Sequence, residues 1–251
     1  MSAPLLIILC ISIAAWILLI VVARILERAP RAEIEWGLVW MLVCIYGRVV
    51  HRVRYEGIEN IPTWKRTDPP VGPLVIVSNH SAGVDPLLIH GACPFDIRWM
   101  MMRRMMVRPF ARLWAWAAII PVEQGGRDSA ALRTAIRHLQ AGNVVGIFAE
   151  GGLEQPPGHI NPYLPGVGML VLKSGARVLP VVICGTPRVD RAYLSLLLPS
   201  HAHVRFLPIR EYAPAGLDAL GIARDLELAA ANALGWPRCD RAQNPEHDRN
   251  A

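Results

Sequence analysis

The chain has 251 residues, of which 53% are hydrophobic and only 18% charged, and its formal net charge is +6. This length suits one sizeable α/β domain and is short for two, and soluble domains carry about 25% charged residues. The composition therefore excludes a disordered, collagen-like or coiled-coil protein, and a multi-span transporter is excluded because long apolar runs do not recur.

The apolar excess is concentrated at the N-terminus. Residues 3–23 contain no charged side chain, and a helix of this length extends about 31 Å, close to the thickness of a bilayer's hydrocarbon core. Arg24, Arg28 and Arg31 follow, so the positive-inside rule predicts a helix in the inner membrane with the rest of the chain in the cytoplasm. A cleaved signal peptide fits less well, because a basic start and a small-residue cleavage site are lacking.

A second apolar stretch covers residues 36–50, but Arg48 interrupts it and its longest uncharged run is 12 residues. That run is too short to cross a bilayer. Two interpretations remain: a helix in the membrane interface, with Trp36, Trp40 and Tyr46 at head-group depth, or a buried helix of the main domain. We divide the chain into an anchor with an interfacial helix (1–50), a main domain (51–235) and a polar tail (236–251).

The main domain alternates strand-like and helix-like segments after a loop rich in Gly and Pro at 55–73. This alternation predicts an α/β fold, a largely parallel sheet covered by helices on both faces. A helix is expected to begin at Asp85-Pro86 with Asp85 as its N-cap. The predicted strands are 74–78, 119–123, 144–148, 178–184 and 204–209, and the other predicted helices are 129–141, 166–174 and 217–234.

Neither the cysteines nor the histidine pair at 201 and 203 predicts a disulfide or a metal site. The five cysteines form no C-x-x-C pair and lie mostly in apolar runs, so they are expected to be reduced. His201 and His203 lack a third ligand at any usual spacing, and we predict no metal site.

The segment with the clearest chemistry begins where the predicted strand 74–78 ends. His80 follows within two residues, and Asp85 lies five positions further on. A turn between them, containing Gly83, lets the carboxylate contact one imidazole nitrogen and leaves the other to accept a proton. The alternative is that Asp85 only caps a helix and His80 is a polar turn residue. Because no G-x-S-x-G elbow is present, the simplest chemistry is general-base activation of an external hydroxyl.

These residues resemble the glycerolipid acyltransferases, the family of 1-acylglycerol-3-phosphate acyltransferases. The pattern N-H-x-x-x-x-D at 79–85 is similar to the family's first motif, and residues 120–123 and 148–152 resemble its second and third, the third usually being F-P-E-G-T-R-S. Residues 179–182 resemble the fourth, and 204–209 the closing strand. The resemblance covers about 55–209 with all four blocks in order.

The resemblance implies an O-acyltransferase of membrane lipid biosynthesis. His80 would deprotonate a lysolipid hydroxyl, which attacks the thioester of acyl-CoA or acyl-carrier protein, and Asp85 would orient His80. Asn79, Glu150, Gly151 and Gly152 would help to bind the acceptor. No metal or other cofactor is implied. The remaining alternatives are a phospholipid transacylase and a non-catalytic lipid-binding protein of the same fold.

Two departures from the family pattern concern the acceptor. Gln124 and Leu153 stand where the second and third motifs have Arg residues that the resemblance assigns to the acceptor's phosphate. Either Arg127 or Arg103 compensates, or the acceptor differs from lysophosphatidate. His80, Asp85 and Glu150 argue against an inactive enzyme.

A segment rich in Met and Arg, residues 98–112, suits an anionic membrane surface or the phosphates of the acyl donor. The alternative is a strand and a helix with core Met and solvated Arg residues. Binding to nucleic acid is not supported, because no recognised motif accompanies the charge.

Overall fold

The computed structural model describes residues 3–27, 33–64, 71–123, 129–189, 192–213 and 216–239. Within these residues, seven strands form one sheet. In chain order they are β1 (Arg54–Glu56), β2 (Leu74–Ser78), β3 (Arg98–Met102), β4 (Ile120–Val122), β5 (Val144–Phe148), β6 (Arg177–Cys184) and β7 (His203–Phe206). The helices are α1 (Ala3–Glu27), α2 (Ile34–Val49), α3 (Asp85–His90), α4 (Ala111–Trp116), α5 (Ser129–Gln140), α6 (Pro165–Ser174) and α7 (Ala219–Leu234).

The order of strands across the sheet is β1-β7-β6-β2-β5-β3-β4. The five strands from β6 to β4 are parallel to their neighbours, whereas β7 is antiparallel to β6 and β1 is parallel to β7. The largely parallel sheet is therefore confirmed. The carboxyl ends of β6, β2, β5, β3 and β4 lie at one edge, the position at which sites collect in open α/β sheets.

Both faces of the sheet are covered, which explains why β2 is buried at all five of its positions. Val75 and Val77 face one core, to which α5, α6 and α7 contribute. Leu74 and Ile76 face the opposite core, to which α3 contributes. Successive side chains of a strand point to opposite faces, so the two cores lie on the two sides of one sheet.

Two strands were not among those predicted from the sequence. β1 lies in a segment that was predicted to be a loop, and it is a three-residue edge strand beside β7. β3 begins the Met-rich and Arg-rich segment, which continues through 3₁₀ turns at Arg103–Met105 and Arg108–Phe110 into α4. The interpretation of this segment as a strand followed by a helix agrees with the structure.

The two N-terminal helices contact each other, and α2 also packs on α3. Trp36 of α2 is buried and its ring lies 4.2 Å from that of Trp116, while Leu42 and Ile45 of the same helix are exposed. Among the described residues, no helix combines the length and hydropathy that crossing a membrane requires. The predicted membrane helix is thus not confirmed, and Arg28 and Arg31 lie outside the described residues.

Candidate active site

Asn79 fixes the end of β2 to the neighbouring strand β6. Its side-chain amide donates to the carbonyl of Ile183 at 2.8 Å and accepts from the N–H of Ile183 at 2.9 Å. The side chain is fully buried. This pairing gives Asn79 a structural part in the site, and its part in substrate binding stays a prediction.

His80 and Asp85 meet as their spacing predicts. The Nδ1 atom of His80 lies 2.9 Å from Oδ2 of Asp85, and that oxygen also accepts the backbone N–H groups of Ser81 at 2.7 Å and Ala82 at 2.8 Å. An oxygen that accepts two N–H groups is an acceptor for a third, so Nδ1 is the donor to Asp85, and in the neutral imidazole Nε2 is then the acceptor. Within the described part of the chain, no hydrogen bond occupies Nε2.

The prediction that Asp85 is the N-cap of its helix is wrong. Val84 occupies the cap position, and Asp85 is the first residue of α3. Its carboxylate turns back to the residues that precede the helix instead of capping the next N–H groups. The turn is tight: a Cβ on Gly83 would lie 2.4 Å from the carbonyl oxygen of Ala192, a distance that excludes any side chain.

The imidazole of His80 rests on a stack of aromatic rings. Phe148, at the end of β5, lies parallel to it with ring centroids 3.9 Å apart, and Trp99 of β3 stacks on Phe148 at 5.0 Å. Gly146 makes room for the indole, since a Cβ there would lie 2.5 Å from a ring atom of Trp99. His80 is held on one face by this stack and at Nδ1 by Asp85, and its side chain is 19% exposed.

Glu150 joins the ends of β5 and β2. One of its carboxyl oxygens accepts the backbone N–H of His80 at 3.1 Å, and the other accepts the backbone N–H of Asn161 at 3.1 Å and its side-chain amide at 2.7 Å. Burial raises the pKa of Glu150 to about 8, against the opposing effect of these donors. Glu150 therefore lies beside the turn between His80 and Asp85, bonded to the backbone of His80 and not to its imidazole.

The other predicted site residues are spread over the same edge of the sheet. Gly151 is exposed with φ of +74°, and Gly152 is buried. Arg103 follows β3, which lies two strands from β2, about 10 Å at the usual spacing. Its guanidinium is exposed and paired with Glu123. Arg127, like Gln124, lies outside the described residues.

Three further residues at the site were not predicted. Glu154 is buried, and its backbone N–H donates to the carbonyl of His80 at 2.7 Å. Its carboxylate accepts the hydroxyl of Ser81 at 3.2 Å and lies 3.3 Å from Nε of Arg188, whose side chain is 55% exposed. Burial raises the pKa of Glu154. The available signal was that Glu154 is the one charged residue of the loop 151–165.

The remaining polar candidates have other partners. His201 contacts Arg52 at 2.9 Å, while His203 pairs with Glu56 at 3.0 Å. The described residues contain no group of three His, Cys, Asp or Glu side chains arranged to hold a metal ion. All five cysteines are free thiols, in agreement with the prediction.

This arrangement suits one kind of proton transfer. An imidazole fixed at Nδ1 by a buried carboxylate, with Nε2 available, is the usual form of a general base for a hydroxyl group. Within the described residues, no Ser or Cys side chain bonds to His80, so nothing there marks a nucleophile that would carry a covalent intermediate. The geometry suits a reaction in which an external hydroxyl gives its proton to Nε2 of His80 and itself acts as the nucleophile.

Comparison with known proteins agrees with this chemistry. The family model described as Acyltransferase matches residues 52–184, which include β1 to β6 and every residue of the His80 site except Arg188. A curated relative, the 1-acyl-sn-glycerol-3-phosphate acyltransferase of Borreliella burgdorferi, is 28% identical over 176 residues, covering 65% of this chain and 69% of its own.

A solved structure has the same fold. The crystal structure of the 1-acyl-sn-glycerophosphate (LPA) acyltransferase from Thermotoga maritima superposes with a TM-score of 0.62 and 22% identity, covering 82% of this chain and 83% of that one. At this identity the likeness concerns the fold.

Proposed function

The chain belongs to the acyltransferase family, and on that premise we propose that it esterifies the free hydroxyl of a lysophosphatidate-like lysolipid with a fatty acyl group. The family resemblance inferred from the motifs is confirmed, and the protein is an acyltransferase. The observation that carries the proposal is the 2.9 Å contact between His80 and Asp85 at the carboxyl edge of the sheet. The acyl donor we propose is a thioester, acyl-CoA or acyl-carrier protein.

In the proposed reaction, Nε2 of His80 accepts the proton of the acceptor hydroxyl as its oxygen attacks the thioester carbonyl. A carbon–oxygen bond forms and a tetrahedral intermediate results. When the intermediate collapses, the carbon–sulfur bond breaks and the thiolate leaves with the proton that His80 accepted. Asp85 holds Nδ1 throughout and stabilises the transient imidazolium, so the imidazole is regenerated after each turnover.

The anionic head group of a lysophosphatidate needs a cation near His80. Arg103 and Arg127 were predicted for this role, and to them we add Arg188, which pairs with Glu154 beside the turn of His80 and Ser81. Leu153 occupies the place of the family's usual Arg. An acceptor that lacks a phosphate is the alternative that this substitution favours.

Membrane association is part of the proposal. Exposed apolar side chains cover α1 and one side of α2, among them Ile11, Trp16, Leu42 and Val49. Such a surface suits the interface of a bilayer, in which both the acyl chain and the product reside. We place the catalytic domain on the cytoplasmic side of the inner membrane, where acyl thioesters are made.

The deciding experiment compares wild type with His80→Ala, using a labelled acyl thioester and a panel of lysolipids in mixed micelles. Loss of a general base is expected to lower the rate by about 10²–10⁴-fold. His201→Ala is the matched control, because the His201 side chain is exposed and bonds to Arg52 away from the His80 site. Equal rates for His80→Ala and wild type would refute the proposal, and transfer only from a donor phospholipid would indicate a transacylase.

A further inference from the structure

Helix α5 turns a basic side away from the sheet. It belongs to the face that α5, α6 and α7 cover, opposite the face of α3. The buried side chains of α5 are Ala131, Ala135 and Leu139. Arg133 and Arg137 lie two positions from these residues, on the outward side of the helix, and both are exposed. The outward side of α5 is therefore positively charged.

The outward side of the neighbouring helix α6 is apolar and ends in a cation. Met169 and Leu172 are 38% and 46% exposed, and Lys173 follows as another exposed residue. Nε2 of Gln140, the last residue of α5, lies 3.5 Å from the carbonyl of Lys173. Lys173 is therefore next to the end of α5, about one helical turn beyond Arg137. We call this set the basic helical surface, and its members are Arg133, Arg137, Met169, Leu172 and Lys173.

The charged residues that α5, α6 and α7 expose fully are all basic. They are Arg133, Arg137, Lys173 and Arg224. The two acidic residues of α7 are less accessible, since Asp225 is half-buried and accepts the hydroxyl of Tyr212 at 2.6 Å, and Glu227 is buried. Among the residues that the structure describes, no carboxylate pairs with any of the four exposed cations. This face of the domain therefore attracts an anionic partner.

The basic helical surface is connected to the His80 site along α6. Leu164, the residue before α6, is 40% exposed, and its N–H donates to the carbonyl of Ala149 at 2.8 Å. The N–H of Ala149 in turn donates to the carbonyl of Ser78, two residues before His80. From Leu164 to Lys173 the helix extends about 13 Å. The extended pantetheine arm of a carrier protein is longer than this, so a carrier bound at the surface can present its thioester at the site.

We propose that the basic helical surface docks an acidic carrier protein, which brings the acyl thioester to His80 from this face of the sheet. The inference rests on the proposed function, of which it names the acyl donor. Protein interfaces combine an apolar centre with a charged rim, and here Met169 and Leu172 lie beside unpaired cations. A bilayer is the less suitable occupant, because the exposed apolar side of α2 lies on the face of α3 and one membrane does not contact both faces.

The test uses the full chain with the double substitution Arg137→Gln and Lys173→Gln, which removes two charges and keeps residues that favour helix. The matched control is Arg52→Gln with Arg54→Gln, two exposed cations at β1, the far edge of the sheet. Steady-state rates are measured with one lysophosphatidate acceptor and two donors, acyl-carrier protein and acyl-CoA. Binding of the carrier protein without its acyl group is measured separately by fluorescence anisotropy.

We expect the 137/173 variant to raise KM for acyl-carrier protein about tenfold and to weaken carrier binding by a similar factor, with kcat and KM for acyl-CoA unchanged. The 52/54 variant should match wild type with both donors. Arg137→Lys with Lys173→Arg keeps both charges and should restore the wild-type KM for the carrier protein.

An unchanged KM for the carrier protein would overturn the inference, and so would a wild type that uses acyl-CoA alone. An equal rise of KM with both donors would also overturn it, because the two cations would then bind coenzyme A or serve the fold. Failure of wild type to acylate the acceptor with either donor would instead refute the proposed function, whereas the binding of the carrier protein is measured without turnover.

Discussion

The ring of Phe148 lies flat on the imidazole of His80, with 3.9 Å between centroids and 15° between planes. The contact joins the last residue of β5 to the residue that follows β2 by two positions. A ring in this position limits the rotation of the imidazole and offers its π face to the positive charge that the proposed proton transfer would develop on it. In the proposed reaction, Phe148 is therefore a positioning residue that acts through His80.

Replacing Phe148 by Leu is expected to lower kcat by about 3–10-fold, with a smaller change in KM. This factor corresponds to the free energy that a stacked aromatic pair usually contributes. Phe148→Tyr keeps the stacked ring and should restore most of the rate. Steady-state kinetics of the two variants check this. If Leu and Tyr lower kcat equally, the stack has no part in positioning His80.

Asp85→Asn tests the fixation of the imidazole. The amide keeps the size of the side chain but can present an N–H to Nδ1, which would favour the wrong ring tautomer. We expect kcat to fall by about 10²–10⁴-fold, while circular dichroism shows that the fold is retained. A variant that is folded and keeps wild-type kcat would show that Asp85 serves only the turn.

The raised pKa of Glu150 predicts that the stability of the fold depends on pH. Its pKa is raised from 4.5 to about 8 in the folded chain, so between these values the folded state binds more protons than the unfolded state. The free energy of unfolding therefore falls as pH rises through this window, by an amount on the order of a few kcal/mol. Thermal melts from about pH 5 to pH 9 should show this slope in wild type and less of it in Glu150→Gln.

The quantity to compare is the slope of Tm against pH and not Tm itself, because Glu150→Gln also weakens hydrogen bonds and lowers Tm at every pH. The control is Glu59→Gln, which alters an exposed side chain outside the site and should keep the wild-type slope. An unchanged slope in Glu150→Gln would mean that Glu150 titrates normally in the folded chain.

Arg188→Gln tests which cation meets the acceptor's phosphate. Losing a charge-assisted hydrogen bond should raise KM for lysophosphatidate by about tenfold and leave KM for an uncharged monoacylglycerol unchanged. Arg103→Gln, which alters an exposed guanidinium paired with Glu123, is the parallel variant. If only Arg103→Gln raises KM for lysophosphatidate selectively, the phosphate-binding site lies at the end of β3 instead.

The strands that the sequence predicted best are those with the simplest environment. β2 and β5 match their predicted bounds because each is a continuous apolar run, and β2 is buried throughout. β1 was missed because a three-residue edge strand has no such run. The mixed Arg, Trp and Met residues of β3 suited several interpretations, and the choice between them depends on its pairing with β5.

In the site, too, contacts between residues close in sequence could be predicted, whereas contacts between distant residues could not. His80 and Asp85 are five residues apart, so their contact could be inferred from a local turn. The bond from His80 N–H to Glu150 and the network of Ser81, Glu154 and Arg188 join residues 34 to 73 positions apart. Such contacts depend on which strand ends are adjacent, which local patterns do not specify. Asp85 was misassigned as a cap because the sequence does not show that its carboxylate turns backward.

The contact between Trp36 and Trp116 bears on where the chain can be divided. Trp36 is buried, and its ring is also 5.9 Å from that of His90, so the inner side of α2 completes the packing around α3 and α4. A truncation at residue 50, the boundary suggested by hydropathy, would strip this cover and leave apolar side chains prone to aggregation. A shortened chain therefore has to keep α2 as part of the folded unit.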